Sequence, residues 1–300
     1  EHVVSPARGF FAAVFFFSIG LTADVTLLAD VAWLLLAAVL LGLLDWRLVA
    51  FVLVAPVLLA LVVALRLEFD EQAGMRARTD GDTTGDADIH SIGDFLARSK
   101  LLFAGGFVLV LSVAILYGLY YRGATTFLPD ILANLPLFEP IVVSGRTIEP
   151  SRFVYAGLLF LGGAGQYAGG RLVDAIRTEL ALVVGYAGLA VIAVIFVPLT
   201  TAGLVPLLVG AGVLGFSVFT IAPINQEAIS AYSPADLRGL SFGYNYTGIF
   251  GIGAFGATMA GAILTRRSPG VLFLVLAGIA VLAVVLSAIL HRSWGGLGRA

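Results

Sequence analysis

Hydrophobic and polar positions divide the chain into eight apolar stretches, at about 9–30, 47–67, 101–127, 153–174, 179–199, 204–226, 239–264 and 271–290. At about 1.5 Å of rise per residue, each is long enough to cross about 30 Å of hydrocarbon as an α-helix. Strands of alternating polarity are missing, so a barrel is not predicted. Every third stretch contains a run (48–65, 180–199 and 270–290) with no charged residue, Asn, Gln or His. The other stretches carry, within or at their ends, Asp24, Asp30, Arg122, Gln166, Asn225, Gln226, Glu227 and Asn245. An ionisable side chain at the bilayer centre costs roughly 2.5–3.5 kcal/mol on insertion scales. Polar helices should therefore face a wet interior and purely apolar ones lipid, which predicts an all-α, polytopic membrane bundle around a polar cavity.

The longest break, residues 68–100, has a polar, acidic centre from Arg78 to Asp88 with too little apolar surface to fold alone, and reads as a solvated linker. It divides the chain into a two-span piece, 1–67, and a six-span piece, 101–300. The two share a pattern. Ser5-Pro6-Ala7-Arg8-Gly9 precedes the first span and Ser233-Pro234-Ala235-Asp236-Leu237-Arg238-Gly239 the seventh, and each is followed by a polar-dotted span and then an apolar one. This predicts an internal repeat, in which 1–67 holds the last two helices of a first half and 101–300 a complete second half. The apolar run Val31–Leu44 reads as an extended or bent end of the first helix. With Glu1 in place of an initiator Met and no visible signal peptide, the chain is expected to be N-terminally incomplete.

Composition agrees. Hydrophobic residues make up 60% and charged residues 12%, with a mean hydropathy of +1.03, against about 45–50% apolar and about 25% charged in soluble domains. There is no Cys, and His2, His90 and His291 fall outside the predicted spans. Disulfides, thiolate catalysis, a metal centre and a cofactor are therefore not expected. Lys100 is the one lysine among 17 basic residues, and residues 68–100 are strongly acidic, a halophile-like composition. A net charge of −2 gives no reason to expect nucleic acid. With the linker inside, eleven basic residues fall on the inner side and six on the outer, which favours a cytoplasmic linker and C-terminus in the plasma membrane.

Between the fourth and fifth spans stands Gly170-Arg171-Leu172-Val173-Asp174-Ala175-Ile176-Arg177. Gly170, Leu172 and Asp174 resemble the inner-loop signature of the major facilitator superfamily, in which basic residues follow the Asp at a tight turn; Ala175 departs from it and Arg177 comes later. An ordinary capped and charged loop is the plainer reading of the same residues. Trp46-Arg47, Arg8-Gly9 and Arg238-Gly239 are weaker points of similarity. The resemblance implies twelve spans in two six-helix halves built from three-helix repeats, with this chain as the last eight spans and the third helix of each triplet peripheral. It also implies a gating role for Gly170, Asp174 and Arg177, with Gly170 packed closely against a neighbouring helix and Asp174 paired with an inner-end Arg.

Asp24 lies about 22 Å along the first span, where desolvation raises a carboxyl pKa and suits it to proton coupling; capping of an outer helix end is the alternative. Arg122, near the outer part of the third span and following Tyr117, Tyr120 and Tyr121, is a candidate to hold an anionic substrate through its guanidinium fork, with interfacial snorkelling as the alternative. Gln166 and Asn245 are further substrate-binding candidates, although buried amides also serve to bridge helices. Glycines on the fourth and seventh spans permit close helix approach. Together these predict a secondary transporter working by alternating access, either symporter or antiporter, and not an ATP-driven pump, since no phosphate-binding loop occurs.

 The energy source expected is instead an ion gradient, above all a proton gradient, and the solute a small molecule such as an organic anion or a drug-like compound, as in efflux. The full-length protein is expected to be a monomer in the lipid bilayer. Two other classes stay open: a transport-inactive sensor or assembly partner, and a membrane-embedded enzyme. The enzyme is disfavoured because no His, and no facing pair of acidic clusters, lies within the spans.

Overall fold

The computed structural model of the chain describes residues 92–103, 105–143 and 146–294. The two spans expected before the linker, the linker up to residue 91, and Asp24 and Asp30 lie outside the described residues. A short helix, α1 (Ile92–Leu102), comes first. Its first nine residues belong to the segment read as linker. Asp94 in its first turn and Lys100 in its last both complement the helix dipole.

Gly105 and Gly106, poor helix formers, separate α1 from α2 (Phe107–Thr125). After a break at Thr126 and Phe127 comes the six-residue α3 (Leu128–Ala133), with Pro129 in its first turn, where a missing N–H costs nothing. Together Phe107–Ala133 form one span of 27 residues. The sequence pattern placed this span at 101–127, because Leu101 to Phe103 are apolar enough to be counted with it. The shift moves Arg122 from near the outer end of the span to near its middle.

A two-stranded antiparallel hairpin follows, β1 (Ile141–Val143) against β2 (Arg146–Ile148), with Val142 opposite Thr147. The rest is helical: α4 (Pro150–Ala175), α5 (Thr178–Thr201), α6 (Leu204–Ala231), α7 (Arg238–Tyr246), α8 (Phe255–Leu264) and α9 (Pro269–Trp294). A π turn, Thr247–Gly251, and a 3₁₀ turn, Ile252–Ala254, join α7 to α8 into one span. Five spans among the described residues are long and apolar enough to cross a membrane. Glycine-rich α4 matches them in length, with 26 residues.

Side-chain contacts fix the directions of these helices. Tyr186 meets Val113 and Tyr120 meets Leu189, so α2 and α5 run parallel. Gly248 faces Leu111 while Gly256 faces Leu119, so the α7–α8 span runs with them. Helices α4, α6 and α9 run the other way. The third members of the two triplets, α5 and α9, pack on each other, with Phe196 and Phe273 stacked at 4.7 Å, and expose Val184, Val191, Leu274 and Leu282. These are the helices that carry no charged residue, Asn, Gln or His across their middles.

Apolar contact with lipid and with protein are nearly equivalent, so close backbone packing must hold such a bundle together. A Cβ on Gly165 would fall on the Phe216 carbonyl, one on Gly169 on the Thr220 carbonyl, and one on Gly215 on the Leu158 carbonyl, which seals α4 against α6. Between α2 and the α7–α8 span, Gly118 faces Ile249 and Gly253, and Gly256 faces the Leu119 carbonyl.

Candidate functional site

The Arg122 guanidinium lies 5.8 Å from the centroid of the Tyr121 ring and 6.0 Å from that of Phe250, both within cation–π range. Tyr121 packs edge-on against Phe219 at 5.8 Å and beside Tyr117 at 6.0 Å. The Tyr155 hydroxyl donates to the Thr125 carbonyl at 3.4 Å. Helix α2 thus supplies Tyr117, Tyr121 and Arg122, α4 supplies Tyr155, α6 supplies Phe219, and the π turn supplies Phe250. Among the described residues no carboxylate forms an ion pair with Arg122. A half-buried cation near the middle of a span, flanked by aromatic faces and with no counter-ion among the described residues, can accept an anion through its forked donors.

The other sequence candidates are placed differently. Gln166 is half-buried on α4, next to the Gly165 contact with Phe216. Asn245 is fully buried on α7, and neither its Oδ1 nor its Nδ2 finds a hydrogen-bond partner among the described residues. Asn225 bridges helices: its Nδ2 donates to the Tyr186 hydroxyl at 3.1 Å, while that hydroxyl donates to the Val113 carbonyl at 3.2 Å. This node ties α2, α5 and α6 together.

In the loop motif, a Cβ on Gly170 would meet nothing within 4 Å among the described residues; the close approach belongs to Gly169. Adjacent helical positions point about 100° apart, so Gly169 and Gly170 face different sides of α4. Asp174 is exposed and forms no ion pair among the described residues. Arg177 lies with its Nε 3.5 Å from Glu179 Oε2. Glu179 itself is 4% exposed and accepts a 2.5 Å hydrogen bond from the Tyr232 hydroxyl. Burial, together with this bond to the Glu179 carboxylate, raises the Tyr232 pKa.

Sequence reasoning missed Phe219, Phe250 and Tyr155 beside Arg122, because each comes from a separate helix and none carries a charge. It also missed the pairing of Glu179 with Tyr232, and that of Tyr244 with α1, where Ser99 Oγ and the Tyr244 hydroxyl lie 2.8 Å apart and Phe103 packs edge-on at 5.0 Å. A buried carboxylate in the first turn of an apolar helix was the one available signal for the former.

No curated protein matches the chain. The family profile described as Major Facilitator Superfamily matches residues 25–248, more than half of the chain and most of the helices that build the Arg122 site. With its apolar membrane-spanning helices and that match, the chain belongs to the Major Facilitator Superfamily, a family of membrane transporters.

Proposed function

We propose that the protein is a secondary active transporter that moves a small organic anion across the plasma membrane by alternating access, coupled to a proton gradient. The observation that carries this reading is Arg122: a cation near mid-span, beside two aromatic rings and without a carboxylate partner among the described residues. An arriving carboxylate, sulfonate or phosphate would supply the missing charge, while Tyr117 and Tyr121 offer apolar faces and hydroxyls. Gln166 supports the reading as a half-buried amide on α4, and Asn245 as a buried amide without a hydrogen-bond partner among the described residues. Asp24, outside the described residues, is the carboxyl assigned to proton coupling. The linker and the C-terminus are placed in the cytoplasm, with Gly170, Asp174 and Arg177 in the inner gating loop.

The test is uptake of radiolabelled benzoate, as a probe aromatic anion, by proteoliposomes of the intact protein under an imposed pH gradient. Saturable accumulation is expected, with Arg122→Ala reducing it at least tenfold at unchanged protein insertion and Arg122→Lys retaining part of it. Equal transport by Arg122→Ala removes Arg122 from the site.

A further inference from the structure

The helices α5 and α9 enclose an apolar crevice of about 330 Å³ that has no part in the Arg122 site. Its walls include Val194, Val197 and Pro198 from the last turns of α5, and Ser268, Val271 and Leu274 at the start of α9. Gly270 opens it, since a Cβ there would come within 3.9 Å of Val197 Cγ1, and a larger side chain would fill the space. The crevice lies at the end of the bundle remote from α1, and its rim is apolar and open, with Val194 51% and Leu274 62% exposed. An apolar hollow on the outer face of the two apolar helices, in their end turns, sits where acyl chains meet headgroups.

Directly before Ser268 stand Arg266 and Arg267, both exposed. Their backbone N–H groups both donate to the Ile263 carbonyl, at 3.1 and 2.7 Å, which holds the pair on one tight turn. Neither forms an ion pair among the described residues. The two helices that make the crevice carry a single carboxylate, Glu179, at the opposite end of α5, and no Asp or Glu follows Asp236 in the chain. Two adjacent arginines with no ion-pair partner among the described residues therefore directly precede the residues that line an apolar slot.

We propose that this corner binds an anionic phospholipid, with its phosphate held by Arg266 and Arg267 and one acyl chain in the crevice. Charge complementarity selects the headgroup: a zwitterionic lipid brings no net charge, whereas basic residues near an anionic membrane surface each favour binding by roughly fivefold. Forked guanidinium donors also match phosphate geometry.

The intact protein in detergent would be titrated with phosphatidylglycerol and with phosphatidylcholine of the same acyl chains, and bound lipid counted by native mass spectrometry. Phosphatidylglycerol is expected to bind about tenfold more tightly. The surface variant Arg266→Ala/Arg267→Ala should bring the two lipids to parity, while Arg292→Ala, a cation at the other end of α9, should leave the preference intact. Gly270→Leu, which fills the slot, should weaken both lipids. Glycerol 3-phosphate should not compete. Equal binding of the two lipids by the unaltered protein, or a preference that survives loss of both arginines, overturns the proposal. Full competition by glycerol 3-phosphate also overturns it, because the pair would then recognise a soluble phosphate.

Discussion

Asn245 has a carboxamide fully enclosed within the bundle, yet no donor or acceptor among the described residues answers it. An unsatisfied buried polar group costs about 1–3 kcal/mol, so an apolar side chain of similar size should be more stable in its place. Asn245→Leu is expected to raise the thermal unfolding temperature in detergent; if Asn245 touches the solute, benzoate uptake falls at the same time. Tyr232 makes a different case. It lies just beyond α6, and burial first, then its bond to Glu179, raise its pKa, so the folded state holds the neutral phenol. A raised folded-state pKa gives stability that is fully present below the unfolded value of about 10 and is lost as pH rises through the folded value. Between pH 9 and 11 the melting temperature should fall further for the unaltered protein than for Tyr232→Phe, which should start lower at pH 7 because Glu179 loses a partner. Equal slopes for the two proteins would remove Tyr232 from the alkaline transition. At this scale the sequence made Arg122 legible, since a charge inside an apolar span stands out. Phe219 and Phe250 were not legible, because a phenylalanine in a membrane helix looks the same whether it faces lipid or a cation.

Among the helices, glycine positions were legible and their directions were not. Gly163, Gly165 and Gly169 all stand on α4, but only the latter two face the α6 backbone; a Cβ on Gly163 would meet nothing within 4 Å among the described residues. Gly163→Ala should therefore be neutral or stabilising by up to about 1 kcal/mol, from the better helix propensity of Ala. Gly169→Val should force α4 and α6 apart, at a cost of about 1–3 kcal/mol or more. Comparing the melting temperatures of the two variants checks the assignment, and equal effects would refute it. The α7–α8 span shows why register was hidden. Gly248 and Gly253 both face α2 although they are five residues apart, a spacing that turns about 140° off one face of a regular α-helix. The π turn at Thr247–Gly251, with its wider i→i+5 closure, absorbs the extra residue. A hydrophobicity pattern records how many residues a span has and is blind to one local overwound or underwound turn.

At the level of the whole molecule, the number and polarity rhythm of the described spans could be read from the sequence, because hydrocarbon penalises every unpaired backbone group and so forces long helices. The side of the membrane on which each end lies could be read only from the distribution of basic residues, a modest bias. It can be tested directly because the chain has no Cys. Ala235 and Ser268 lie just outside opposite ends of the Arg238–Leu264 span, so they must face opposite compartments if that span crosses the bilayer. With the linker and C-terminus inside, a membrane-impermeant maleimide applied to intact cells should label Ser268→Cys, and should label Ala235→Cys only after the cells are opened. The reverse pattern would invert the orientation and move the Arg266–Arg267 corner to the cytoplasmic leaflet. Labelling of both in intact cells would mean that the span does not cross, and the bundle would lose the alternation of α2, α5 and α7–α8 with α4, α6 and α9 on which a membrane-crossing pathway past Arg122 depends.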